Sequence, residues 1–300
     1  MTGKKGRSMR TRLMHQCLEV LILFVCTGIV LLWNSPACSQ EQPQEVLQNT
    51  TGPEQGSIPE EIPTGIIINY DEDLAPLSYK TNGEVKGILV EVLDTVLATR
   101  LGLQVEHRTY PRRRVPFLVK TGKSDAFCMS PDSRAKGYAL IAGNPVVVNS
   151  PALFTGVNNA RGEEVGSISR INDLRSFSQV DYLGSAWARK TFPKDILDDI
   201  NWVGSLDTAL KMLAINRYDV YIGDEIVGRY TLMQIGLADD IFVRPVSIGK
   251  RQVYQFGLRN TYPDAVRIVA DVERALKEAD QDGTIRMIVE KYINPAVKVE

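Results

Sequence analysis

Beyond residue 63 the hydrophobic positions of the chain fall into two alternating spacings. The run Gly65-Ile66-Ile67-Ile68-Asn69-Tyr70 is β-branched and short, bounded by Pro63 and by the acidic turn Asp71-Glu72-Asp73, and it predicts a buried strand. Ile88, Leu89, Val92, Leu93, Val96 and Leu97 then recur at helical spacing, with Gly102 placed as a C-terminal stop. Residues 103–107 alternate as a second strand, residues 115–120 carry a helix and residues 125–129 a third strand. Strands joined by helices predict an α/β fold of mainly parallel sheets flanked by helices. Such sheets bind ligands beyond the carboxyl ends of their strands.

A second unit repeats the first. Residues 118–127 and 213–222 each end a helix, turn at Gly122 or Asn216, place an acid (Asp125, Asp219) and enter a strand. Gly and Asn suit a left-handed helix cap, and an Asp at this point is expected to hydrogen-bond locally in the turn. Between the units the extended stretch 145–154 carries the chain out of the first sheet, and the stretch 242–253 carries it back. Closing helices follow over residues 263–292, divided at Gly283, with Ala265, Ile268, Val269, Val272 and Leu276 on one apolar stripe. Two lobes joined by a two-crossing hinge are therefore expected: lobe 1 from residues 63–149 and 250–300, lobe 2 from residues 150–249.

The amino-terminal region reads differently. Lys4, Lys5, Arg7, Arg10 and Arg12 form a basic start, residues 20–33 are apolar and uncharged but short for a bilayer span, and small residues follow at Ser35, Ala37 and Ser39. This predicts a signal peptide over residues 1–39 and a periplasmic protein. The alternatives are a lipid anchor at Cys38, against which stands Ser35 where an aliphatic residue is usual, and a retained anchor helix, which Glu19 cuts short. Residues 40–62 are rich in Gln, Glu, Pro, Thr and Gly and predict a flexible tether. Asn49-Thr50-Thr51 is a glycosylation sequon in pattern only.

Composition narrows the function classes. The 300 residues are 44% hydrophobic and 24% charged with a net charge of -1, and loss of residues 1–39 leaves 30 basic and 35 acidic residues. That mild acidity gives no attraction for nucleic acid. Cys17, Cys26, Cys38 and Cys128 make no CxxC pair, and His15 and His107 are the only histidines, so no metal or other cofactor is expected. Cys128, alone in the processed chain, is read as a buried small hydrophobe. Gly122-Lys123-Ser124 ends like a phosphate-binding loop, but Phe117 stands where its first Gly belongs. The pairs Asp198-Asp199 and Asp239-Asp240 give no calcium-loop spacing.

Several segments together resemble the type II periplasmic solute-binding proteins of the polar amino-acid transporter class, bacterial extracellular solute-binding protein family 3. They are Ala75-Pro76-Leu77-Ser78-Tyr79 with Gly83 and Gly87, Tyr110-Pro111-Arg112-Arg113-Arg114, the segment from Gly122 to Arg134, the segment from Asp219 through Gly223-Asp224-Glu225, and Asp282-Gly283 before Lys291-Tyr292. The resemblance runs from about residue 64 to residue 293. It implies an exported, non-catalytic monomer that captures a small polar ligand, an amino acid or related carboxylate, between its lobes for uptake through an ABC transporter permease or for sensing. A zwitterion's carboxylate is best held by a guanidinium and its ammonium by a fixed carboxylate. The resemblance assigns these roles to Arg134 and Asp224.

Further expected ligand contacts are Ser185 at a helix start, Ser130, Asp71, Tyr70 and Arg114. Each has a plainer reading. Arg134 after Pro131-Asp132-Ser133 suits a surface turn, Asp224 suits a helix N-cap, Ser185 an ordinary helix start, and three consecutive arginines a solvated patch. Where relatives commonly carry a stacking aromatic before the Ala-Pro pair this chain has Leu74, leaving Tyr70 or Trp187 for that role. An enzyme on the same fold, similar to prephenate or arogenate dehydratases with Glu225 as general acid, is the alternative reading.

Overall fold

The computed structural model describes residues 65–294. The expected signal peptide, the expected tether and the alternative lipid-anchor position Cys38 lie outside the described residues. In chain order the elements of the first half are β1 (Gly65–Asp71), β2 (Asp73–Leu74), β3 (Ser78–Thr81), β4 (Glu84–Lys86), α1 (Ile88–Leu93), β5 (Gln104–Tyr110), α2 (Arg114–Lys120), β6 (Ala126–Met129), β7 (Ala139–Ile141) and β8 (Val147–Asn149). The chain continues through β9 (Pro151–Gly156), α3 (Gly162–Gly166), β10 (Gln179–Tyr182), α4 (Ala186–Thr191), α5 (Lys194–Asp199), β11 (Ile200–Val203), α6 (Leu206–Ala214), β12 (Tyr221–Asp224), α7 (Glu225–Gln234) and β13 (Ile241–Pro245). It closes with β14 (Gln252–Arg259), α8 (Ala265–Gln281) and α9 (Thr284–Ile293).

Lobe 1 is built on a six-stranded sheet in the order β5-β1-β6-β14-β7, with β8 beside β14. β5, β1 and β6 are parallel, as the alternation of strand and helix predicts. β14 runs antiparallel to β6, β7 and β8. Its direction follows from its origin. It enters from the other lobe, past the carboxyl edge of the parallel strands, so the start of β14 meets the end of β6, Gln255 opposite Met129. Lobe 2 mirrors this: β9 enters from the crossing and pairs antiparallel with β12 and β13, so that Pro151 at the start of β9 sits opposite Asp224 at the end of β12. β10 and β11 form a parallel pair, and a parallel bridge from Gln179 to Val220 ties β10 to the strand entering β12.

Each lobe has its own core. Ile66, Ile68, Leu89, Leu93 and Leu97 pack with Phe256, Leu258, Val272 and Leu276 in lobe 1. Leu153, Phe192, Ile196, Val220 and Ile222 form one core of lobe 2, and Phe154, Val180, Leu210, Leu213 and Tyr221 another. The helical spacing read over residues 88–97 is one continuous helical segment in which α1 passes into a π-helical stretch, Asp94–Arg100, closed at Gly102 with φ 67°. Among the described residues no helix is long and apolar enough to cross a membrane.

The internal echo is structural as well as sequential, with one correction. Gly122 (φ 70°) and Asn216 (φ 55°) are both left-handed. The following acids do not serve their own turns. Asp125 accepts the amide of Ile67 on β1 at 3.0 Å, and Asp219 accepts the amide of Ser178, just ahead of β10, at 2.8 Å. Each acid therefore ties its αβ turn to the foot of the neighbouring strand, where an unpaired strand amide is the stronger attraction. Arg259 pairs with the first acid at 3.1 Å and Arg161 with the second at 3.7 Å.

Gly87 is required by a close approach. The carbonyls of Pro76 and Leu77 accept the amides of Ile88 and Leu89, which fold the preceding loop over the start of α1. A Cβ at Gly87 would lie 2.4 Å from the Leu77 oxygen, at φ 129°. Gly87→Ala is expected to cost about 2 kcal/mol and to lower the thermal midpoint by roughly 5 °C, read by circular dichroism. A midpoint within a degree of wild type contradicts the packing described here.

Candidate functional site

Because the crossings pass between the carboxyl edges of the two sheets, the loops at those edges meet at the hinge. On the lobe 1 edge, Asp71 ends β1 and is 9% exposed. Arg112, in the loop after β5, donates Nη1 to Asp71 Oδ2 at 3.4 Å. Among the described residues the guanidinium makes only that hydrogen bond, which leaves most of its five donors for another acceptor.

On the lobe 2 edge Asp224 occupies the N-cap position of α7, yet its side chain caps nothing. The hinge does that work: Asn149 Oδ1 accepts the Ile226 amide at 3.3 Å and the Ser150 carbonyl accepts the Glu225 amide at 3.0 Å. Asp224 is thereby released from the plain capping role and turns to Gln252, whose Nε2 donates to both carboxylate oxygens at 2.8 and 2.9 Å. Burial pushes the Asp224 carboxyl up to about 6, and the Gln252 amide opposes part of that rise.

Hydrogen bonds carry the lobe 2 edge on to β14. Tyr254 on β14 donates its hydroxyl to Gln252 Oε1 at 3.2 Å. Its phenol is raised by burial and feels Asp224 on one side and Arg112 and Asp71 on the other. Two hydrogen-bonded groups, Asp71 with Arg112 and Asp224 with Gln252 and Tyr254, therefore make a polar seam coupled through the field at Tyr254, with the cation on the lobe 1 side and the buried acid on the lobe 2 side.

Beside Asp224 lies a third acid. Asp181 on β10 is 2% exposed, and its Oδ1 accepts the Tyr182 amide at 2.7 Å. Burial pushes its carboxyl up to about 7, against the lowering effects of the Tyr182 amide, the Ser185 hydroxyl and the Arg189 charge. Ser185 is buried as well and caps α4, its Oγ accepting the Ala188 amide at 3.4 Å.

The other expected contacts fall as follows. Arg134 has a side chain that is 86% exposed, and its Nε donates to Asp132 at 3.0 Å, the contact its plainer reading as a surface turn expects. The segment between β6 and Arg134 is only long enough for a 3-10 turn capped by Asp132, and that same Asp takes the guanidinium. Tyr70 is 0% exposed inside lobe 1, with its hydroxyl 2.8 Å from His107 Nδ1. The alternation of β1 turns Tyr70 to the face opposite Asp71. Arg114 is exposed and lies over the Tyr110 ring at 5.2 Å. Ser130 is half-buried at the end of β6, on the same edge as Asp71. Trp187 donates its indole N–H to the Lys250 carbonyl at 3.2 Å and so packs on the returning crossing.

Arg112, Tyr254, Gln252 and Asp181 were not singled out by sequence. Arg112 stands within the Tyr-Pro-Arg-Arg-Arg motif, but nothing local distinguishes the three arginines. Asp181 had a faint signal, two polar residues, Gln179 and Asp181, on one face of a strand whose neighbours are apolar. Tyr254 and Gln252 carried none.

The family model for bacterial extracellular solute-binding proteins, family 3, matches residues 66–295. The chain belongs to that family. A probable amino-acid-binding protein of Bacillus subtilis (strain 168), YxeM, is 25% identical over 231 residues, 75% of this chain and 82% of that protein. Among solved structures, the L-cystine solute receptor of Neisseria gonorrhoeae in its unliganded open conformation matches with a TM-score of 0.61 at 19% identity, over 80% of this chain and 97% of that one. A polar amino acid ABC uptake transporter substrate-binding protein from Streptococcus thermophilus gives 0.62 at 18% identity, over 79% and 88%. The fold is the two-lobe type II periplasmic binding protein fold, and the family is one of extracellular solute binders.

Proposed function

We propose that this protein is a non-catalytic receptor that captures an amino acid or related small carboxylate between its lobes and presents it to the membrane component of an ABC transporter. The supporting observation is the polar seam, which sets a guanidinium with spare donors against a buried acid across the two carboxyl edges. Asp224 receives the ligand ammonium, Arg112 receives its carboxylate, and Gln252 and Tyr254 position Asp224. Closure of the lobes excludes water from both contacts and strengthens them. Glu225, the acid of the enzyme alternative, is held by Arg229 at 2.9 Å one turn along α7, so its charge is committed to a counterion.

A thermal-shift screen of α-amino acids, polyamines and small carboxylates tests the reading. Ligand present at about a hundred times its dissociation constant adds roughly 3 kcal/mol to the folded state, a rise of several degrees. A screen in which no amino acid or carboxylate moves the transition removes it. With a hit in hand, Arg112→Ala is expected to weaken binding by about 10- to 100-fold, measured by calorimetry. Arg134→Ala should change it by no more than about threefold, since an exposed ion pair contributes little. The reverse order of effects would return the carboxylate to Arg134.

A further inference from the structure

The lobe 2 wall of the seam carries two acids, Asp181 and Asp224, where one ligand ammonium needs one. Asp181 stands behind Ser185 and beside Asp224, and its Oδ2 has no hydrogen-bond partner despite complete enclosure. It lines a cavity of about 10 Å³ together with Gln179, Phe192 and Ile222, room for about one water sphere and no counterion. The charged and titratable groups around it are few. Ser185 and Arg189 face it from α4, Asp224 and Tyr221 from β12, and Tyr182 from its own strand. Arg189, the one cation among them, is held elsewhere: it lies 4.1 Å over the Trp202 ring and donates to the Leu183 carbonyl at 3.2 Å. On the lobe 1 side, Asp71 already has Arg112. The acids without a cationic partner in contact are thus Asp181 and Asp224, on the same wall.

We propose that Asp181 is a specificity-determining residue whose buried charge, added to that of Asp224, selects solutes with a net positive charge over neutral ones. It acts through the field at the site and touches no ligand atom. In a water-poor setting, a second negative charge on the strand beside the one that carries Asp224 favours a cationic solute and disfavours one whose only cation is cancelled by its carboxylate. The proton balance follows. A cationic solute binds best when Asp181 is ionised, so its advantage grows as pH rises through about 7, the value to which burial pushes this carboxyl, and shrinks below it.

This inference rests on the amino-acid-receptor reading, and the experiment separates the two. Calorimetry with L-arginine and L-glutamine at pH 5.5 and pH 8 is run on the wild-type protein and on Asp181→Asn. The expected wild-type result is tighter binding of L-arginine at pH 8, with a ratio that falls by about tenfold at pH 5.5. The expected Asp181→Asn result is a pH 8 ratio about tenfold lower than wild type, with a shallower pH slope that is left to Asp224, whose carboxyl burial pushes up to about 6. A purely structural role for Asp181 would move both ligands together and leave the ratio and its pH slope alone, and that result overturns the proposal. If Asp181→Asn does not fold, the wild-type ratio decides, since a ratio independent of pH overturns it equally. Binding of no amino acid at either pH overturns the receptor reading, and the selectivity proposal with it.

Discussion

Asp224→Ala is expected to weaken amino-acid binding by roughly one and a half to three and a half orders of magnitude while the protein stays folded. The ligand ammonium would lose its buried counter-charge, and truncating one member of a desolvated, hydrogen-bonded charge pair costs about 2–5 kcal/mol, at roughly 1.4 kcal/mol per tenfold. The loss is specific to binding because Asn149 and Ser150, not the Asp224 side chain, satisfy the first amides of α7. The wild-type pH dependence runs the same way. With the Asp224 carboxyl pushed up to about 6, a ligand that needs it ionised binds more weakly as pH falls through 6, by at most about tenfold per pH unit. Calorimetry on Asp224→Ala, with circular dichroism as the folding check, decides the matter. Affinity within about threefold of wild type in a folded variant takes Asp224 out of the site.

Asp181→Asn should raise stability at pH 8 and leave it nearly unchanged at pH 4. The folded carboxyl titrates near 7 against 3.8 in the unfolded chain. Below both values the group is protonated in either state and contributes nothing. Between them the unfolded chain ionises first, so wild-type stability falls as pH rises, and above about 7 the full penalty of a buried charge is present. Asn is uncharged and nearly isosteric, and its oxygen can still accept the Tyr182 amide. Removing the penalty is worth on the order of 2–4 kcal/mol, a rise of roughly 5–10 °C in the midpoint of a domain this size. Urea titrations at the two pH values measure it. Equal stability of variant and wild type at pH 8 shows that the carboxylate is not held against its own burial.

The first prediction depends on which acid caps and which does not. Asp224 alone, at the start of a helix, has the ordinary signature of an N-cap, and nothing local distinguishes it from Ser205, which does cap α6 by accepting the Thr208 amide at 3.2 Å. The difference lies in Asn149, distant in sequence and brought to the helix start only because the chain crosses between lobes at that point.

The local periodicities determined much of the architecture without help. The β-branched run of β1, the apolar stripes of α1 and α8, the breaks at Gly122, Asn216 and Gly283 and the extended crossings all depend on neighbours within a few residues, where steric limits and burial act on the chain directly. The family resemblance followed from those segments in order. The choice of site residues did not. Arg134 carries the family pattern, yet a tight turn hands its guanidinium to Asp132, while Arg112, one of three adjacent arginines, reaches Asp71 from the end of the neighbouring parallel strand. Tyr70 and Asp71 are adjacent in sequence and face opposite sides of one sheet, so burial removed the first and kept the second. Asp181 and the Tyr254–Gln252 link became visible only when β10, β12 and the returning β14 were brought to one hinge, because the charge a side chain feels is set by what the fold places against it.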